Sequence, residues 1–179
     1  VALDGHVKLW QLRQPQDHQQ IPLPGERFSS LTLCPEGKRV GVAARAMSGP
    51  VETLRIALVD LATGQVVAQH PGCAEVAFSP RGDWYAVAHP GSGVALYDPR
   101  HERQTILPTE AVVTRLRVSG DGRYLAAALL NGSVCVWDRH RGDARQQMHR
   151  SSQPLYALDW RPGTSELAIG HDSTLEYWD

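Results

Sequence analysis

The chain has 179 residues, enough for one ordinary domain with its own core, and its 18 basic and 19 acidic residues leave a formal net charge of −1. This balance provides neither the basic field of a nucleic-acid binder nor the acidic tail of a solvating segment, so no nucleic-acid partner is expected. No stretch approaches the ~18 consecutive apolar residues of a membrane span, and VALDGHVKLW at the start lacks the basic opening and apolar run of a secretory signal. It also lacks an initiator Met, and a segment of a longer parent chain is expected. Cys34, Cys73 and Cys135 are widely spaced and odd in number, with no CxxC. That argues against a disulfide framework or zinc site and for thiols in a reducing, cytoplasmic setting.

Twelve Pro and 16 Gly fall between short apolar runs, the pattern of many short strands joined by turns; helical apolar spacing is absent. In chain order, residues 1–24 read as the last strand or two of one unit, closing at VKLWQ (7–11). Units follow at 26–70, 74–108, 112–150 and 154–179, the last stopping at Trp-Asp before an outer strand. The unit at 112–150 is the clearest. VVTRLRV alternates, with Leu116 and Val118 facing one way and Arg115 and Arg117 the other. SGDG turns, and RYLAAAL is apolar throughout, as a strand buried on both faces should be. Asn131-Gly132 predicts a type I′ hairpin turn, VCVWD is a third strand, and DARQQMH is a polar, weaker fourth. Each unit is thus expected to be a four-stranded antiparallel meander.

Two markers recur. An apolar residue followed by a Pro/Gly turn occurs as LCPEG (33–37), FSPRG (78–82), VSGDG (118–122) and WRPG (160–163). Its leading residues Leu33, Phe78, Val118 and Trp160 are 45, 40 and 42 apart. An apolar run closing on an acid occurs as ALVD (57–60), ALYD (95–98), CVWD (135–138) and EYWD (176–179), with VKLWQ as a further copy. Small sheets buried on both faces need a neighbour on each, which identical units provide by stacking around an axis. The period near 40, the FSPRG-type turns and the closing Trp-Asp resemble the WD-repeat β-propellers over essentially the whole chain. The expected fold is therefore all-β, a β-propeller of four-stranded antiparallel blades in an incomplete ring.

The chain departs from the family in places. The Gly-His that often precedes the first strand is missing; His70 stands near its place before one unit. The family's hairpin Asp is matched by Asp4 and Asp172 but replaced by Asn131 and Gly91. The family's buried Asp–His network is therefore expected to be absent, leaving the blades to rely on packing. Two Arg-Gly-Asp tripeptides, 81–83 and 141–143, fall in turns that want glycine, and an adhesion role is disfavoured.

Catalytic chemistry is weakly signalled. His89 and His171 lie at matching places, 11 residues after Phe78 and Trp160, but the equivalents are Ala44 and Leu129 and no carboxylate recurs, so no metal site or cofactor is expected. No GxSxG and no phosphate-cradling glycine loop occurs. DRHRGDARQQMHR (138–150) reads as a solvated turn and outer strand. ARAMSGPVET (44–53) is expected to lengthen one hairpin loop. The resemblance implies a non-catalytic scaffold that binds a protein or peptide through loops on one face. The candidate partner-binding residues are Arg45, Met47, His89, Asn131 and His171 after the second strands, with Glu110 and Arg150 in the loops entering the next blades. The remaining blades of the parent chain, or a second copy, would close the ring. The competing readings are a metal-dependent propeller hydrolase or lactonase, and a regulatory or sensor segment of a larger protein.

Overall fold

The computed structural model describes residues 6–11, 14–23, 26–48, 51–91, 93–141, 144–171 and 173–179. Five antiparallel sheets follow one another along the chain. Sheet I holds β1 (His6–Gln11) and β2 (Gln14–Pro22). Sheet II holds β3 (Glu26–Leu33), β4 (Arg39–Ser48), β5 (Val51–Asp60) and β6 (Val66–Pro71). Sheet III holds β7 (Val76–Phe78), β8 (Tyr85–His89), β9 (Gly93–Tyr97) and β10 (Arg103–Leu107). Sheet IV holds β11 (Val113–Val118), β12 (Tyr124–Leu129), β13 (Ser133–Asp138) and β14 (Ala144–Arg150). Sheet V holds β15 (Ala157–Trp160), β16 (Leu167–His171) and β17 (Thr174–Trp178). Sheets II to V are simple meanders, in which each strand pairs with its sequence neighbour.

The first turn of each meander is built alike. The amide of Cys34, Ser79, Ser119 or Arg161 donates to the carbonyl five residues on, and the carbonyl of the same residue accepts from the amide three residues on. Gly37, Gly82 and Gly122 fill that third place with φ between 68° and 77°, which only glycine adopts without strain. In sheets III and IV, buried Ser79 and Ser119 complete the turn: each hydroxyl accepts from the next strand's first amide (Trp84, Tyr124) and donates to an Asp (Asp83, Asp121). Arg81-Gly82-Asp83 is accordingly a structural turn. Its Gly82 carbonyl also accepts from Arg39 of sheet II. The second tripeptide falls partly outside the described residues, as do Asp4 and Asp172; a short 3-10 turn, Arg139–Arg141, opens that connection.

Two expectations need correction. The Asn131-Gly132 turn is not type I′, because only Gly132 has positive φ (81°). Gly132 N–H donates to Leu129 O, and the Asn131 side chain accepts from Ser133 N–H, so a type I turn is followed by a left-handed glycine. Asn131 keeps negative φ because its side chain caps the loop. Residues 44–48 and 51–53 do not form a long loop: they extend β4 and β5, whose ladder runs to the Ser48–Val51 pair. Leu116 is buried and Val118, half-buried, packs against the same cluster, as the alternation predicts.

Each seam between sheets is a separate apolar cluster. Ile21 and Leu23 pack on Val40, Val42 and Val59 of sheet II. Ile56 and Leu58 of sheet II meet Val76, Phe78 and Val87 of sheet III. Val94 and Leu96 of sheet III meet Leu116, Leu125 and Trp137 of sheet IV. Val134 and Val136 of sheet IV meet Leu158, Leu167 and Ile169 of sheet V. Every sheet thus offers one face forward and one back, so the middle strands read as unbroken apolar runs. Polar ties reinforce the stack: Trp160 Nε1 donates to Arg117 O at 3.2 Å, Arg139 lies over the Trp84 ring, and the Thr114 hydroxyl donates to Leu155 O. These are stacked blades of an incomplete propeller.

Candidate functional site

Meander geometry places the hairpins between second and third strands, and the connections from one sheet into the next, at one common edge. Backbone bonds bind the two sets together. Leu130 N–H donates to Val112 O, and Ser151 N–H donates to Gly132 O at 2.8 Å. A Cβ on Gly132 would lie 2.3 Å from Ser151 O, so this close approach requires glycine.

The candidate residues divide along this edge. Arg45, Glu110 and Asn131 are exposed on it. His89 instead turns inward: its Nδ1 lies 3.4 Å from Cys73 Sγ and its Nε2 lies 3.1 Å from the Tyr97 hydroxyl. His171 is engaged by Glu176 of its own hairpin at 2.8 Å. The two histidines therefore do not converge, and among the described residues no three His, Cys, Asp or Glu side chains gather as metal ligands. Met47 lies in β4 paired with Glu52, and Arg150 ends β14 opposite Ser133; their side chains lie outside the described set.

Sequence reasoning missed the apolar members of the edge. Val112, Leu130 and Tyr156 are large and exposed, and all three sit on hairpin tips or inter-sheet connections. Leu130 and Val112 are joined by their backbones, and Tyr156 follows Leu155, whose amide reaches Leu129 O. All three lie on this edge, as do the exposed Asn131 and Glu110. The available signal was an apolar residue inside a turn, LLNG, where solvated loops favour polar ones.

Charge runs along the innermost strands. Glu75, just before β7, holds Arg115 of β11 at 2.8 Å, and Arg117 lies 3.9 Å from Glu75 and 3.8 Å from Asp159 of β15. Burial pushes the Glu75 carboxyl up, and the two arginines oppose the shift. These groups satisfy one another across three sheets.

Residues 102–138 match the family model described as WD domain, G-beta repeat. This stretch is a WD repeat. The matched stretch begins with β10, the outer strand of sheet III, and ends with β13 of sheet IV, so one WD repeat spans two sheets and locks them together. The meanders and buried seams fit a WD-repeat β-propeller. No curated protein matches the chain.

Proposed function

We propose that this WD-repeat chain is a non-catalytic scaffold, and that the hairpin edge around Leu130, Val112 and Tyr156 receives a protein or peptide segment. WD repeats generally mediate protein–protein contact. The observation that carries the reading is three large exposed apolar side chains on an edge that also carries exposed polar ones, the composition of a recognition patch. Glu110 and Asn131 supply polar contacts beside it, with Arg150 close by, and Arg45 and Met47 extend the same edge at the hairpin of sheet II. His89 and His171 hold the hairpins of sheets III and V on this edge by their bonds to Cys73, Tyr97 and Glu176. The partner is neither nucleic acid nor membrane, as the balanced charge suggests. A cytoplasmic setting suits the buried thiols Cys34, Cys73 and Cys135. The rest of the ring comes from further blades or a second copy.

Panning a random peptide library against the chain tests the site. Selected peptides should lose affinity on Leu130→Asp or Tyr156→Asp by roughly tenfold or more, as for a truncated anchor. They should keep their affinity on Val67→Asp, which alters an exposed residue of the outer strand β6. Equal binding to all three variants would place the partner elsewhere.

A further inference from the structure

The seam between sheets II and III contains a cluster that its neighbour lacks. His70 Nε2 lies 3.2 Å from the Tyr85 hydroxyl, and the same hydroxyl lies 3.1 Å from His101 Nδ1. His89 sits between Cys73 and Tyr97. The Tyr85 and Tyr97 rings stack at 5.1 Å, and the His70 ring lies 4.5 Å from that of Tyr97. His70 is buried, and His101 is held at a positive φ of 67°, unusual for a residue with a side chain.

The repeat supplies an internal comparison. His70 pairs with Ile56 as Leu107 pairs with Val94. By the same alignment, Cys73, Tyr85, His89 and Tyr97 correspond to Val113, Leu125, Leu129 and Trp137. Those five counterparts form part of an apolar cluster between sheets III and IV. One seam is thus titratable where the next is hydrocarbon.

We propose that the sheet II–sheet III seam is an acid-sensitive joint, in which protonation of its histidines loosens these two sheets while the sheet III–sheet IV seam holds. The groups facing the cluster are Cys73, Tyr85, Tyr97, Arg39, Arg103 and Asp98. Asp98 is the one carboxylate among them; it acts on His101 and on Tyr85, and Arg39 opposes it at both. The Tyr85 hydroxyl has one proton, so it can donate to one imidazole and accept from the other. If both rings become cationic, two N–H donors meet one oxygen and the hydroxyl proton loses its acceptor. Burial, with His89 and His101 nearby, holds His70 down to about 4, and burial also lowers His89 and His101. The unfolded chain therefore takes up protons first as pH falls below about 6.5. The seam's contribution is present at neutral pH and lost toward pH 4.

Amide hydrogen exchange on the chain at about pH 7.5 and about pH 5, corrected for intrinsic rates, tests this: protection in β5, β6 and β8 should fall on the order of tenfold relative to β12 and β13. Replacing His70 and His89 together by Leu installs the neighbouring seam's residues and should remove the difference. An equal loss in both seams, or none in either, overturns the proposal. Imidazole titration by NMR on the unsubstituted chain decides the matter even if the double variant does not fold. Midpoints for His70 and His89 well below about 6.5 support it, and ordinary midpoints refute it.

Discussion

Single residues in the turns set how tightly the repeat is closed. Ser119 is buried, and its hydroxyl joins Tyr124 N–H to the Asp121 carboxylate. Ser119→Ala removes the acceptor of Tyr124 N–H and one of the donors to Asp121, and should lower unfolding free energy by about 1–3 kcal/mol in urea titrations. The same bond holds the Asp121 carboxyl below the usual range, so its stabilisation is present above the unfolded carboxylate pKa and fades as pH falls. The Ser119→Ala variant should therefore show a flatter acid limb. Glycines separate conformational strain from close approach. Gly37 and Gly132 have similar φ, 73° and 81°, but a Cβ meets nothing within 4 Å at Gly37 and a backbone oxygen at 2.3 Å at Gly132. Gly37→Ala should cost about 1 kcal/mol, the left-handed penalty alone, and Gly132→Ala distinctly more, measured by the same denaturation. Similar losses would mean that the Ser151 connection yields freely.

At the scale of strands and sheets, the seams carry the stability. Trp137 is almost completely buried between sheets III and IV. Trp137→Ala should remove about 3–5 kcal/mol and lower the thermal midpoint by several degrees. Most of this level could be read from the sequence. The turn markers at Leu33, Phe78, Val118 and Trp160 precede turns with the same hydrogen bonds, and RYLAAAL is the buried strand β12 that its apolar run predicts. Local chemistry dictates both. Where a side chain could satisfy the backbone in two ways, as Asn131 does by capping Ser133, the dipeptide alone misjudged the turn. Residues 44–48 carry no strong breaker, and pairing continued through them to the Ser48–Val51 pair. The His70–Tyr85–His101 cluster was illegible because its members lie 15 and 16 residues apart and meet only across a seam. The candidate edge was legible in its polar members, but not in Val112, Leu130 and Tyr156, whose exposure depends on which face neighbouring backbone leaves open.

The whole molecule is an arc whose two outer faces are unfinished in complementary ways. Leu175 and Tyr177 are 58% and 64% exposed, yet their counterparts in the other sheets (Val134 and Val136, Val94 and Leu96, Ile56 and Leu58) are buried against the following sheet. At the opposite side Leu31 and Leu33 are 51% and 52% exposed, although Val76 and Phe78, and Leu158 and Trp160, are buried at the same positions. Ile21 and Leu23 cover only the outer half of that face. The missing cover is a strand pair lying inside β1. A second copy would bring β17 there, but β17 and β1 are both third strands, aligned at Trp178 and Trp10, and a meander needs a second strand beside a third. Further blades therefore suit the arc better than a second copy does. The 179-residue chain alone should self-associate through these faces, seen as a mass above that of one chain in light scattering after size exclusion. Leu175→Lys with Tyr177→Lys should shift it toward the single-chain mass without lowering its melting temperature, because both residues are mostly exposed. The equivalent change at Val134 and Val136 should unfold sheets IV and V, since each charge would enter a closed seam. A discrete dimer with one sharp transition, unaffected by the Leu175 and Tyr177 changes, would instead show that two arcs close by another route.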